Sequence, residues 1–158
     1  MLIHFGYEKK QVLQALRYHF ITRKEIKFLL IVVNLFTIAS AVLLYIHLIQ
    51  PIAFLTFSIL WFLLLITIWR ILPLSIYQKN ETFRDQFTMS ITSSAIILRT
   101  RKGEHGWAWG DFSTFLESTY FFHLYFNSRS FFLIPKEGFE GLIELQEFRR
   151  LLREKIGK

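Results

Sequence analysis

Between Phe28 and Trp69 no Asp, Glu, Lys or Arg occurs, and only Gln50-Pro51 interrupts the apolar run near its middle. A helix rises ~1.5 Å per residue, so ~20 apolar residues cross a ~30 Å hydrocarbon core. The pattern therefore predicts two membrane-crossing helices, 28–49 and 52–71, joined as a hairpin. Upstream, residues 2–7 alternate enough for a short strand. Val12, Leu13, Leu16, Phe20 and Ile21 then form a helical stripe with basic residues between. That segment either lies in the membrane surface or packs on a soluble domain while continuing into the first span. The second reading is favoured, because no break residue separates Thr22 from Phe28.

After Leu72-Pro73 the period changes to two. Phe87, Met89 and Ile91 alternate with Thr88, Ser90 and Thr92, a half-buried strand. Ser93-Ser94 turns the chain into a strand over 95–101. Residues 102–106 read as a tight connection, and a third strand begins at 107–109 and continues or bends through 112–117. Strands over 120–126 and 129–134 flank a turn at Asn127-Ser128, and Pro135 stops the second. Finally Leu142, Leu145, Phe148, Leu152 and Ile156 share one helical face, with Glu140 and Glu144 early and Arg149, Arg150, Arg153 and Lys155 late, as the helix dipole favours. The expected fold is a membrane α+β protein: a two-helix transmembrane hairpin plus a small antiparallel β domain, a partly open barrel closed by a C-terminal amphipathic helix. Its parts are an N-terminal segment 1–27, the hairpin 28–72 and a soluble domain 74–158.

Charge refines this picture. The net charge is +7, but the segment 1–27 holds +4 of it, with Lys24 and Lys27 at one base of the hairpin and Arg70 at the other. Basic residues beside a span set topology and meet anionic lipid, so both termini are expected in the cytoplasm and a nucleic-acid partner is not. The first apolar run starts too late and runs too long for a cleavable signal.

Reactive chemistry is scarce. Without cysteine, disulfides, thiolate nucleophiles and Cys-based metal sites are excluded. His4, His19, His47, His105 and His123 lack metal-site spacing, the seven glycines form no phosphate loop, and no Gly-x-Ser-x-Gly occurs. His47 reads as a neutral ring near the far interface. Asp111 and Glu117 could be taken as paired carboxylates, but Asp111 follows Gly110 and reads as solvated. No catalytic, metal or cofactor site is expected. One binding site is: Arg99, Arg101 and Lys102 cluster at a strand end and could contact anionic lipid head groups. Within the hairpin, Thr37, Ala39, Ser40 and Ala41 make a small-residue patch for oligomer contacts or for packing the two helices of one chain.

The order of elements, with Trp109-Gly110-Asp111-Phe112, the spacing Trp109-x-x-Phe112-x-x-Phe115, and Ile134-Pro135-Lys136 with Phe139 three residues on, resembles the YcxB-like family of small bacterial membrane proteins. The resemblance extends over nearly the whole chain. It implies an inner-membrane location and a soluble domain with a pleckstrin-homology-like (PH-like) fold, and supplies no catalytic residue. Read physically, Trp109, Phe112 and Phe115 fill a core between sheet and helix, and Phe139 staples the start of the last helix. The expected role is non-enzymatic: a membrane-anchored domain that binds a protein or lipid, or an assembly subunit acting through its hairpin.

Overall fold

The computed structural model describes residues 1–100, 103–128 and 130–156. The chain forms two compact units, Met1–Ala15 with Glu81–Lys158, and Leu16–Asn80. The boundary falls inside helix α1 (Lys9–Thr22).

The second unit holds the end of α1, then α2 (Lys24–Tyr45), α3 (Pro51–Ile66), a π-helical turn (Thr67–Ile71) and α4 (Leu72–Lys79). Two stretches, Lys24–Tyr45 and Pro51–Lys79, are long and apolar enough to cross a membrane, and only 6% of each apolar window is buried. Partial burial recurs at heptad spacing through Ile26, Leu30, Val33, Thr37, Ser40 and Leu44 on α2 and Phe54, Ser58, Trp61, Leu65 and Ile68 on the facing helix. The small-residue patch is thereby divided: Thr37 and Ser40 lie on the seam, Ala39 and Ala41 point outward. Thr37, Ser40 and Ser58 each donate a hydroxyl to a carbonyl of their own helix at 2.8–2.9 Å.

Three boundaries differ from expectation here. First, α1 does not run into α2. Arg23 is extended (φ −67°, ψ 132°), its N–H closes α1 on the Phe20 carbonyl, and its own carbonyl receives Lys27 N–H as the cap of α2. Second, α2 ends at Tyr45, because His47 takes the left-handed conformation (φ 59°). His47 N–H bonds to Leu44 and Leu48 N–H to Leu43, a Schellman cap with histidine where glycine is usual. Third, Pro73 does not end the helix. A proline removes the donor to the carbonyl four residues back and crowds it. The chain widens to π pitch, with Leu72 N–H reaching Thr67 O, and the stranded Trp69 carbonyl accepts Arg17 Nε–H at 2.9 Å. The Arg17 guanidinium also lies 5.5 Å from the Trp69 ring centre.

Among the described residues, the first unit contains seven strands: β1 (Leu2–Phe5), β2 (Phe87–Ile91), β3 (Ala95–Thr100), β4 (Gly103–Ala108), β5 (Thr114–Glu117), β6 (Phe121–Tyr125) and β7 (Phe131–Pro135). They do not form one curved barrel. They divide into antiparallel sheets of order β1-β2-β3-β4 and β5-β6-β7, and helix α5 (Leu142–Lys155) follows. The N-terminal strand completes the first sheet, with Ile3 opposite Met89, Phe5 opposite Phe87, and the Met1 ammonium on the Ile91 carbonyl at 3.1 Å. Residues expected as a loop at 103–106 belong to β4, which Gly103 enters at φ 138°, a conformation only glycine adopts readily.

Alternation delivers Ile3, Phe5, Met89, Ile91, Ile96 and Leu98 from the first sheet and Phe122, Leu124 and Ile134 from the second to one core, which Phe148 and Leu152 of α5 and Ile156 just after it complete. Gly138 passes β1 closely, since a Cβ there would sit 3.2 Å from that of Phe5. Leu142 was expected on the buried face of α5. It is instead 76% exposed, and Ile143 is 85% exposed, because the helix meets the core only from Leu145 onward.

Candidate functional site

Of the expected basic cluster, Arg101 and Lys102 lie outside the described residues. Arg99 sits near the end of β3, directly opposite Glu104 of β4, and its Nε–H donates to Glu104 Oε2 at 2.8 Å. Both side chains are exposed, so the pair contributes ~0.2–1 kcal/mol. A partnered guanidinium has less charge to offer a lipid head group than the sequence alone suggests.

Beside this hairpin a groove of ≈ 510 Å³ opens between the two sheets. Leu98, His105 and Trp107 line it from the first sheet, Phe132 from β7, and Asp85 and Glu81 from the turn preceding β2. The Trp107 and Phe132 rings lie 5.6 Å apart. Asp85 is half-buried, and its carboxylate meets no hydrogen-bond or ion-pair partner among the described residues. This combination of aromatic walls and carboxylates suits a cationic or mixed cationic–apolar ligand.

A second polar cluster is saturated. Glu117 at the end of β5 accepts Arg149 Nε–H at 2.8 Å and an Arg149 terminal N–H at 2.7 Å, while Lys136 Nζ lies 2.7 Å from the same carboxylate. Hydrogen bonding from Arg149 outweighs partial burial and, with Lys136, holds the Glu117 carboxyl down to about 2. The Arg149 guanidinium is correspondingly raised. Asp111 is not its partner: it is exposed and accepts the Ala108 N–H at 2.9 Å.

Residues 91–152 match the protein family described as YcxB-like protein. That segment, less than half of the chain, is similar to the YcxB-like family. No curated protein and no solved structure gives a match. The matched stretch is shorter than the resemblance drawn from sequence and begins at the last residue of β2.

Both motifs that carried the resemblance fall within the YcxB-like segment, and both pack the core. Trp109 and Phe112 are buried in the core and Phe115 packs against that core. A 3-10 turn spans Trp109–Asp111, the Phe112 ring lies 4.9 Å from that of Phe126, and Trp109 Nε1–H reaches the Thr92 carbonyl at 3.1 Å. Phe139 meets Phe148 at 5.1 Å and Phe122 at 6.2 Å between ring centres, clamping the approach to α5. None of these four rings lines the groove.

The YcxB-like segment also buries His123, whose Nε2 lies 3.0 Å from Ser118 Oγ, whereas His105 is exposed on β4 beside Trp107. Sequence reasoning missed the groove, because Asp85, Trp107 and Phe132 meet only through sheet packing. It missed the Glu117–Arg149 pair for the same reason. The buried His19 of α1 was also missed, and burial, with the positive charge of Arg23, depresses that imidazole to about 4.

Proposed function

We propose that this chain is a non-enzymatic protein of the bacterial inner membrane that holds a PH-like binding module at the cytoplasmic surface. The observation that carries the reading is the pair of apolar helices, almost wholly exposed within the fold. Exposed apolar surface on that scale demands a lipid or protein cover. Lys24, Lys27, Arg70 and Lys79 lie toward one end of the hairpin, and residues 46–50 at the other end carry no fixed charge, an asymmetry that favours both termini in the cytoplasm. A four-stranded sheet, a three-stranded sheet and one closing helix support the PH-like reading of the soluble unit. Because Arg99 is engaged by Glu104, a protein ligand suits the module better than a lipid head group.

Alkaline carbonate extraction and terminal reporter fusions test this. The intact protein is expected in the membrane pellet, with fluorescent-protein fusions active and alkaline-phosphatase fusions inactive at both ends. Release into the supernatant, or ends on opposite sides, overturns it.

An assembly role for the hairpin has one observation in its favour. Val32, Leu35, Phe36 and Ala39 outline a shallow, wholly apolar recess of ≈ 360 Å³ on the outward face of α2. Cysteine crosslinks from position 39 between copies in native membranes would support it, and their absence would leave the anchoring role alone.

A further inference from the structure

Strand β4 is the outer strand of the first sheet and, among the described residues, pairs only with β3. Its rungs can be sorted by direction. Ala95, opposite Ala108, accepts Thr92 N–H with its carbonyl and donates its own N–H to Thr92 Oγ1, each at 3.0 Å, so its polar groups turn away from β4. Antiparallel rungs alternate, so Ala108, Gly106 and Glu104 are the residues of β4 whose N–H and C=O point away from β3. The Ala108 N–H agrees with this parity, since Asp111 takes it from outside the ladder. The main-chain groups of Gly106 and Glu104 are left directed outward, without partners among the described residues.

Natural sheet edges are blunted by proline, lysine, bulges or a covering element. Along Gly103–Ala108 none of these is present: the register is unbroken, no proline or lysine occurs, and nearly every residue is exposed. The groove runs beside this same edge, where Asp85 has no side-chain partner among the described residues and Trp107 and Phe132 offer ring faces.

The geometry points to a docking site for an extended segment of a partner protein, added to β4 as a fifth strand and carrying a lysine or arginine into the groove beside Asp85. Main-chain bonds to Glu104 and Gly106 supply register. Every second side chain of the added strand enters the groove, where charge and aromatic surface select a basic residue flanked by apolar ones. The inference rests on the soluble unit being a binding module and names where and what it binds.

The full-length protein in lipid nanodiscs, panned against phage-displayed random decapeptides with empty nanodiscs as counter-selection, provides the test. Enriched peptides are expected to carry Lys or Arg between β-branched or aromatic residues. Gly106→Pro deletes an outward N–H and spares the rungs to β3; it is expected to weaken those peptides about tenfold or more by fluorescence anisotropy. Gly106→Ala keeps the donor, and its Cβ finds only Ile97 at 3.9 Å, so affinity should stay within about threefold. Asp85→Arg lies outside the strand, and its loss of binding tests the site even if the proline variant unfolds. Peptides that bind Gly106→Pro and Asp85→Arg like the wild type overturn this site while leaving the binding-module reading intact. Failure to enrich any peptide overturns it too, with anchoring judged separately by carbonate extraction. Self-association seen by light scattering and abolished by Gly106→Pro, without peptide binding, would put a second copy on the edge and overturn the peptide assignment.

Discussion

At Glu117 one carboxylate serves two cations from two different elements, Arg149 of α5 and Lys136 just beyond β7. Both cations also lie over the Phe122 ring, at 6.0 and 5.4 Å from its centre. The folded carboxyl titrates at about 2 against an ordinary 4.5. A group depressed on folding stabilises fully above its unfolded value and loses that contribution as pH falls through the folded one. Stability of the first unit should thus decline from about pH 4.5 to about pH 2, as urea midpoints followed by tryptophan fluorescence would record. Glu117→Gln should cost about 1–3 kcal/mol at neutral pH and flatten that limb. An unchanged acid limb would show that other groups control it. Nothing local advertised this cluster: Glu117 and Arg149 are 32 positions apart.

Among the elements, the long helix from Pro51 to Lys79 shows how a proline can be carried through. Pro73 strands the Trp69 carbonyl, the π turn relieves the clash, and Arg17 supplies the missing donor. Arg17→Gln should therefore destabilise the hairpin unit by about 1 kcal/mol in wild type and by less in Pro73→Ala, where the restored N–H serves that carbonyl. Thermal unfolding in detergent across the four-variant cycle reads the coupling, and additive effects would refute the link. The two apolar helices were legible in sequence because uniform hydropathy needs no partner to be seen, and β2 was legible because Phe87, Met89 and Ile91 alternate cleanly. By contrast, Gly103, Glu104, His105 and Gly106 have weak strand propensity, and only pairing with β3 makes them β4. The continuation of the helix beyond 71 was not legible, because the π turn and the Arg17 hydrogen bond that carry it through Pro73 leave no local pattern.

For the molecule as a whole, the first unit is discontinuous, drawing β1 and the start of α1 from the N-terminus and everything else from beyond Asn80. The YcxB-like motifs and the apolar pattern conveyed its content, but no periodicity could say that β1 pairs with a strand more than eighty residues later. Without β1 the unit loses Ile3 and Phe5 from its core and bares the edge of β2. A fragment of residues 81–158 should be less stable by several kcal/mol on core loss alone, and a synthetic peptide of residues 1–8 should restore protection of the Met89 amide from hydrogen exchange. A fragment equally protected without the peptide would show that β1 is dispensable.

Translation gives that discontinuity a further meaning. The first strand leaves the ribosome well before its neighbour, and the sheet can close only after both apolar helices have been made and the polypeptide has come back to where it began. On the proposed membrane reading, a chain that threads the bilayer once instead of twice strands β1 and β2 in separate compartments and never assembles the module. On that same reading, completion of the sheet doubles as a proofreading step on insertion, marking correctly threaded copies by their folded state.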